Sequence, residues 1–240
     1  MRRGNRSAGN GESGGTEHLL RLPGSQWCYR PPAAARVDPG QASRSDERVR
    51  FGSFNQFGKV SPTTLRLWIA VLRAVPDSLF VIVGVPEGDA RRALCRTFEE
   101  ASVDAARIKL LPRLLHGDYY DAFRGVDVCL DTTPFSGGTT TCDALWMGVP
   151  VVTLAGERPA SRSAASILTA AGCAQWIAAT QEEYVRIAVE LARQGPAQPA
   201  RRSEIRRRFQ ASPVMDEAEF TRDLETAFRS AWQRWCASSK

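Results

Sequence analysis

The sequence of 240 residues is long enough to bury one good core, and its 43% hydrophobic and 24% charged residues are ordinary for a globular protein. No apolar run reaches the roughly 18 residues of a membrane span, and the basic start lacks the apolar stretch of a secretory signal, so we expect a cytoplasmic protein without a membrane segment. The six cysteines form no C-x-x-C pair, and neither of the two histidines has a partner at metal-ligand spacing, so we expect no metal site.

The net charge of +6 is compatible with a nucleic-acid-binding protein. Much of the excess is arginine near the C-terminus, at Arg201, Arg202, Arg206, Arg207 and Arg208. A solvated helix face explains the same residues, and we favour it because no recognised nucleic-acid motif accompanies the charge.

Three regions differ in composition. Residues 1–15 are rich in Gly, Ser and Asn, and we predict that they are disordered. Residues 16–47 combine an apolar patch around Trp27 with prolines and a polar stretch, which predicts an irregular connecting segment. Residues 48–240 carry alternating strand and helix signals, which predict one lobe with closing helices.

Within this lobe, short apolar runs alternate with helical patterns. We predict strands at residues 49–54, 79–84, 107–111, 127–131, 151–154 and 175–178. We predict helices at residues 62–75, 89–101, 118–124, 139–147 and 161–171, then closing helices at about 181–194, 200–210 and 216–236. Ser61 can cap the first helix, and Gly148 can end the fourth. Single helices between buried strands predict a Rossmann-like α/β fold, with helices on both faces of a parallel sheet.

Polar segments follow the predicted strands. They are residues 55–59 after the first strand, 116–119 after the third, 132–141 after the fourth and 156–158 after the fifth. Ligands of open parallel sheets bind beyond the carboxyl ends of the strands, near the point where the strand order reverses. We therefore expect one rim of the sheet to hold the functional residues.

The segment after the fourth strand predicts an anion site. Gly137 and Gly138 allow a ligand to approach the backbone closely. The three threonines at 139–141 then open a helix, whose first amide groups have no internal partners and suit a phosphate. An ordinary helix cap explains these residues equally well. Asp143, one turn further, could accept hydrogen bonds from ribose hydroxyls or simply complement the helix dipole.

Lys59 lies in the segment after the first strand, where an ammonium could neutralise a diphosphate leaving group, although a solvated lysine would look the same. The spacing from Gly52 to Gly58 and Lys59 superficially resembles a P-loop. It has one residue too many, however, and Val60 replaces the Ser or Thr that holds magnesium, so we reject this interpretation. No G-x-G-x-x-G follows the first strand, which argues against nicotinamide and flavin cofactors. The residues by themselves predict a rim site for a phosphorylated ligand such as a nucleotide.

Several longer strings form one recognisable pattern: residues 51–56 with 59–62, 127–131, 137–156, 160–162 and 182–184, preceded by 20–23 and 27–29. Together they resemble the C-terminal catalytic lobe of the O-GlcNAc transferase/SPINDLY glycosyltransferase family. The similarity runs from about residue 17 to the C-terminus. It implies the C-terminal lobe of a GT-B enzyme that transfers a sugar, with inversion and without a metal, from a nucleotide diphosphate to Ser or Thr hydroxyls of proteins.

The resemblance also implies roles for individual residues. Gln56 and Lys59 would contact the donor diphosphate, and Lys59 would act in catalysis by stabilising the departing nucleotide. Asp143 would read the ribose. Three backbone amides would bind phosphate, those of Gly138, Thr139 and Thr140.

Two residues of the third polar segment are less closely tied to the family pattern. Tyr119 stands where many family members have a histidine near the base, and its ring could still stack on uracil. His116 could contact the ribose, and a surface position explains it equally well.

Members of this family also have an N-terminal catalytic lobe, commonly after tetratricopeptide repeats, which supplies acceptor contacts and the groups proposed for proton removal. Residues 1–15 do not resemble that lobe, and no helix-pair repeat is visible. We therefore expect the donor-binding half of an enzyme, inactive alone, that uses UDP-GlcNAc or another nucleotide sugar such as a fucose donor as substrate and needs no cofactor. A non-catalytic nucleotide-sugar-binding module and a basic nucleic-acid-binding protein are the alternatives.

Overall fold

The computed structural model describes residues 20–37 and 47–238, apart from the side chain of His116. Within these residues, six parallel strands form one sheet in the order β3-β2-β1-β4-β5-β6. The strands are β1 (Arg50–Ser53), β2 (Leu79–Val83), β3 (Ile108–Leu111), β4 (Val128–Leu130), β5 (Val151–Leu154) and β6 (Ile177–Ala178). The order reverses between β1 and β4, as in a Rossmann fold, and the predicted fold class is confirmed.

Eight α-helices in the described part of the chain cover the sheet or follow it. They are α1 (Pro62–Ala74), α2 (Asp89–Glu100), α3 (His116–Arg124), α4 (Thr139–Trp146), α5 (Ser163–Ala170), α6 (Gln181–Arg193), α7 (Pro199–Gln210) and α8 (Glu217–Ser238). Every helix and strand predicted above is present, and no end differs from its predicted position by more than two residues.

The ends that shift have local causes. Helix α5 begins two residues late because Pro159–Ser161 forms a separate 3₁₀ turn. Asp127 precedes β4 instead of beginning it, and its carboxylate accepts hydrogen bonds from the amides of Arg50 and Ala197, each at 2.8 Å.

Helix α1 has the local features by which a sequence pattern predicts a helix. The hydroxyl of Ser61 caps the helix by accepting a hydrogen bond from the Thr64 amide at 3.1 Å, and Pro62 occupies the first turn. Large apolar residues recur at helical spacing on the buried face of α1, namely Leu67, Trp68, Val71 and Leu72. This face packs into the core beside the sheet, so that α1 fixes the segment that leads out of β1.

Strands β1 and β4 lie side by side at the centre of the sheet. Phe51 of β1 and Val128 of β4 are completely buried, since helices cover both faces. Gly52 is required here, because a Cβ at that position would lie 2.7 Å from Cγ1 of Val126. The segments that follow β1 and β4 are therefore neighbours at one rim.

Predictions for the first part of the chain concern residues that are only partly described. Residues 1–15 lie outside the described residues. Of segment 16–47, residues 20–37 and 47 are described, and they contain neither α-helix nor strand. None of the helices in the described ranges combines the length and the apolar character needed to cross a membrane.

The arginines of α7 divide between the interior and the surface. Arg202 is 8% exposed, and its guanidinium donates hydrogen bonds to carbonyls at the ends of α3 and α4. The acceptors include the carbonyls of Phe123 (3.3 Å), Arg124 (3.3 Å) and Met147 (3.5 Å). Arg206 likewise donates to the Trp146 carbonyl at 2.5 Å, whereas Arg207 is exposed and pairs with Glu204. Arg202 thus satisfies carbonyl groups that the ends of two helices leave without internal partners.

We expect Arg202→Met to lower the free energy of unfolding by about 2–4 kcal/mol, because several buried carbonyls would lose a charged donor. Arg207→Met on the same helix is the matched control and should change it by no more than about 0.5 kcal/mol, as for exposed ion pairs. Urea unfolding followed by circular dichroism measures both. Equal effects of the two substitutions would contradict the structural role given to Arg202.

Candidate functional site

Asn55 joins the segments that follow β1 and β4. Its amide nitrogen donates to a carboxylate oxygen of Asp131 at 2.9 Å, and its carbonyl oxygen accepts a hydrogen bond from the Thr140 hydroxyl at 2.8 Å. Asn55 is 7% exposed, and its bond to Asp131 is buried while the bond from Thr140 is partly buried. The side chain therefore connects the end of β1 to the end of β4 and to the first turn of α4.

Asp131 is the acceptor on which this arrangement depends. It is 2% exposed. Its carboxylate accepts hydrogen bonds from Asn55 Nδ2 (2.9 Å), the amides of Thr132 and Gly137 (2.8 Å each) and Thr153 Oγ1 (2.6 Å). Burial raises the pKa of Asp131, and these hydrogen bonds oppose the shift. Because all four partners donate, the ionised carboxylate can accept all four hydrogen bonds.

Helix α4 begins at this rim with its first amide groups free of side-chain caps. Gly138 precedes the helix, and no described side chain caps it. The Thr140 hydroxyl bonds to Asn55 instead of to the helix, while Thr139 is exposed. The amides of Gly138, Thr139 and Thr140 thus lie at a helix start with the positive end of the helix dipole behind them, and their binding of an anion stays a prediction.

Lys59, in the segment after β1, contacts the segment that leads into α4. It ends a short 3₁₀ turn, Phe57–Lys59, and its ammonium donates to the Ser136 carbonyl at 3.2 Å. The nitrogen also lies 4.2 Å from the ring centroid of Phe135, which is 51% exposed. Burial lowers the pKa of Lys59, and the charge of Asp131 opposes the shift. The Lys59 ammonium is therefore held at Ser136, two residues before Gly138.

Three further predicted residues lie on neighbouring elements. Gln56 is exposed, and its backbone carbonyl accepts a hydrogen bond from the Lys59 amide at 2.9 Å. His116 is the first residue of α3, and its side chain lies outside the described part. Tyr119, one turn further along α3, is partly buried. Its ring meets three aromatic rings edge-on, those of Phe54, Tyr120 and Phe123.

Asp143 lies beneath the rim and is 3% exposed. Its carboxylate accepts hydrogen bonds from the hydroxyls of Tyr29 (2.7 Å), Tyr119 (3.0 Å) and Tyr120 (3.0 Å). Burial raises the pKa of Asp143, and the three tyrosine hydroxyls oppose the shift. The predicted contact of Asp143 with ribose stays a prediction.

Several side chains of this rim were not identified from the sequence as site residues. Asn55 and Asp131 lie directly at strand ends, and a search for buried polar residues in those positions would have found them. Trp27, Tyr29 and Tyr120 carried no such signal, because their partners are distant in sequence. Their contacts arise from the folded structure alone.

Trp27 packs directly on the glycine that precedes α4. A Cβ at position 138 would lie 2.5 Å from Cη2 of Trp27 and 3.0 Å from Cζ3. The indole is rigid, so even one methyl group would force the ring or the backbone to move. Glycine is thus needed at position 138 for space.

We expect Gly138→Ala to lower the free energy of unfolding by about 1–3 kcal/mol through this clash. Gly58→Ala is the matched control, since a Cβ at Gly58 would meet nothing within 4 Å. Thermal unfolding of both variants, and of Gly138→Ala combined with Trp27→Ala, measures the effect. The alanine at position 138 should cost less in the Trp27→Ala background, and an unchanged cost there would contradict the packing described.

Comparison with known proteins identifies the family to which the chain belongs. The model of glycosyl transferase family 41 matches residues 38–224. A Hordeum vulgare protein named as a probable UDP-N-acetylglucosamine–peptide N-acetylglucosaminyltransferase SPINDLY is 41% identical over 224 residues, which cover 92% of this chain and 24% of the barley protein. A Caenorhabditis elegans UDP-N-acetylglucosamine–peptide N-acetylglucosaminyltransferase is 32% identical, over 85% of this chain and 18% of its own length. The chain thus spans about a quarter or less of the length of these relatives.

Solved structures agree with the sequence matches. A variant of the Thermobaculum terrenum O-GlcNAc transferase superposes with a TM-score of 0.82 and 35% identity, over 93% of this chain and 43% of that protein. WaaG, a glycosyltransferase involved in lipopolysaccharide biosynthesis, shares the fold at a TM-score of 0.56 with 14% identity, over 84% of this chain and 55% of its own. With the family model spanning most of the sequence and the sheet matching the C-terminal region of an O-GlcNAc transferase, the chain belongs to glycosyl transferase family 41 and has the corresponding GT-B lobe.

Proposed function

We propose that this chain is the donor-binding half of an inverting protein O-glycosyltransferase that takes its sugar from a nucleotide diphosphate. The observation that carries the proposal is the contact of the Lys59 ammonium with the Ser136 carbonyl, in the segment that leads into the uncapped start of α4. The ammonium and the helix amides both attract the oxygens of a diphosphate. The names of the relatives favour UDP-N-acetylglucosamine as the donor and a peptide as the acceptor.

The proposed reaction has a charge requirement that these groups meet. A Ser or Thr oxygen of the acceptor bonds to the anomeric carbon of the sugar while the bond from that carbon to the diphosphate breaks. The electron pair remains on the diphosphate oxygen, and Lys59 together with the amides of Gly138, Thr139 and Thr140 stabilises the resulting negative charge. Fixed positive groups of this kind lower the barrier without reorganising during the reaction, and the proposed mechanism uses no metal.

The acceptor and its proton require a second part of the enzyme. In the proposed reaction the hydroxyl proton passes to a base on an N-terminal catalytic lobe, which also contacts the acceptor. The coverage of about a quarter of the relatives supports this division. We therefore expect the 240-residue chain to bind UDP and to transfer no sugar alone. A non-catalytic binding module would have the same site, and only turnover in the presence of the N-terminal lobe separates the two functions.

The nucleic-acid alternative receives no support from the arginines that suggested it. Arg202 and Arg206 direct their guanidinium groups to backbone carbonyls inside the fold. Arg207 and Arg208 lie near the carboxylate of Glu204 on the same helix. Arg202 and Arg206 are therefore explained by contacts with the fold, and Arg207 and Arg208 by ion pairs on the surface of α7.

Replacement of Lys59 tests the proposed donor site. We expect Lys59→Met to weaken UDP binding by about tenfold to a hundredfold, since hydrogen bonds to charged groups contribute about 1.5–3 kcal/mol. Lys109→Met is the matched control, because Lys109 is an exposed residue of β3, and it should leave the affinity within about twofold. Isothermal titration calorimetry with UDP, and with GDP for base selectivity, gives the affinities. Absence of UDP binding by the unmodified chain at millimolar concentration would refute the proposal.

The pH dependence of binding supplies a second test of the same residue. Burial lowers the pKa of Lys59, so the ammonium loses its proton at a lower pH than an exposed lysine does. Only the charged form attracts a diphosphate, and UDP affinity should therefore fall as the pH rises through that pKa. Lys59→Met has no such group, so titrations at a series of alkaline pH values should show a smaller fall for this variant. Parallel curves for the two proteins would exclude Lys59 as the group responsible.

A further inference from the structure

Residues 20–37, here called the strap, run along helix α4 without forming helix or strand. Trp27 packs on Gly138 before the helix, Tyr29 bonds to Asp143 in the middle, and the Ala35 carbonyl accepts a hydrogen bond from Trp146 Nε1 at 2.9 Å near the end. The three contacts follow the same direction along both segments. The strap also lies outside residues 38–224, which match the family model.

The strap is itself anchored away from α4. The Tyr29 amide donates to the Val214 carbonyl at 2.8 Å, whereas the exposed ion pair of Arg30 with Glu217, at the start of α8, adds little to this anchoring. Trp27 and Tyr29 therefore hold their positions relative to the C-terminal elements as well as to α4. Because the strap is attached both to α4 and to the C-terminal elements, it can set the position of α4.

At the start of α4 the contact with Trp27 is made by packing. No group in the described ranges accepts a hydrogen bond from its indole nitrogen, which is buried. The edge of the six-membered ring lies against Gly138, whose amide belongs to the proposed phosphate site. Loss of the ring would leave one side of this glycine without contact, and glycine has wide conformational freedom when it is not packed.

One turn further, Tyr29 contributes a hydroxyl to the only carboxylate on α4. The two other hydroxyls on Asp143, from Tyr119 and Tyr120, both come from α3. The carboxylate therefore ties three separate segments together: the strap, α3 and α4. Removal of the Tyr29 hydroxyl would release the strap from this junction and leave the connection to α3 in place.

We propose that Trp27 and Tyr29 are positioning residues for the phosphate-binding start of α4, so that the donor site of this protein includes the strap. The proposal rests on the proposed function, because it assigns the α4 amides to the donor diphosphate. Hydrogen bonds from backbone amides weaken steeply with misalignment, and a small shift of the helix start would lower phosphate affinity. Neither residue needs to touch the ligand.

The test uses the full chain and UDP as the probe, with calorimetry performed well below the melting temperature of each variant. We expect Trp27→Ala to weaken UDP binding by about tenfold or more, and Trp27→Phe, which restores a ring, to remain within about threefold of the unmodified chain. Tyr29→Phe should weaken binding by about threefold to tenfold while it preserves the ring and its packing. Arg30→Ala is the matched control on the same strap, and it should stay within about twofold, since its partner lies on α8.

A spectroscopic measurement separates positioning from a general loss of structure. In ¹⁵N-labelled protein, the amide resonances of Gly138, Thr139 and Thr140 should move in Tyr29→Phe, which keeps both aromatic rings, before any ligand is added, while amides of the distant β3 keep their positions. Unchanged UDP affinity in both Trp27→Ala and Tyr29→Phe would overturn the proposal, as would an equal loss in Arg30→Ala. If Trp27→Ala does not fold, Tyr29→Phe decides alone. Failure of the unmodified chain to bind UDP would instead remove the proposed function, and this inference with it.

Discussion

The carboxamide of Asn55 links the two segments from which the candidate site is built, and the remaining geometry of the rim depends on it. One end donates to the buried carboxylate of Asp131, and the other accepts from the hydroxyl of Thr140. Because an amide has both a donor and an acceptor, it can bridge a carboxylate and a hydroxyl that lie on different segments. The end of β1 is thereby tied to the end of β4 and to the start of α4, across the reversal of strand order.

This connection brings two sources of positive potential to one place. Lys59 is carried by the segment that Asn55 begins, and the amides of α4 follow the segment that Asp131 begins. The buried carboxylate of Asp131 accepts hydrogen bonds from four donors within the fold, which stabilise its charge. An anion at the rim would lie near the Lys59 ammonium and the positive end of the α4 dipole, while the hydrogen bonds to Asp131 come from within the fold.

The family relationship and the physical description support each other at different levels. Similarity along the sequence and the sheet defines the family and the lobe. The contacts among side chains describe how this chain holds its rim, including the contacts of the strap with α4. Three tyrosine hydroxyls donate to Asp143, among them that of the partly buried Tyr119.

From the sequence alone, the alternation of apolar runs and amphipathic stretches determined all six strands, all eight helices of the described part and the rim where the ligand should bind, because these follow from local periodicity and from the geometry of parallel sheets. It also identified Lys59 and the Gly-Thr segment as a candidate anion site. Only the tertiary structure decided that Asn55 joins the two segments, that Trp27 makes glycine necessary at position 138 and that Asp143 is buried among tyrosines. Those contacts join residues up to 114 positions apart, and no local pattern encodes which distant side chains will meet.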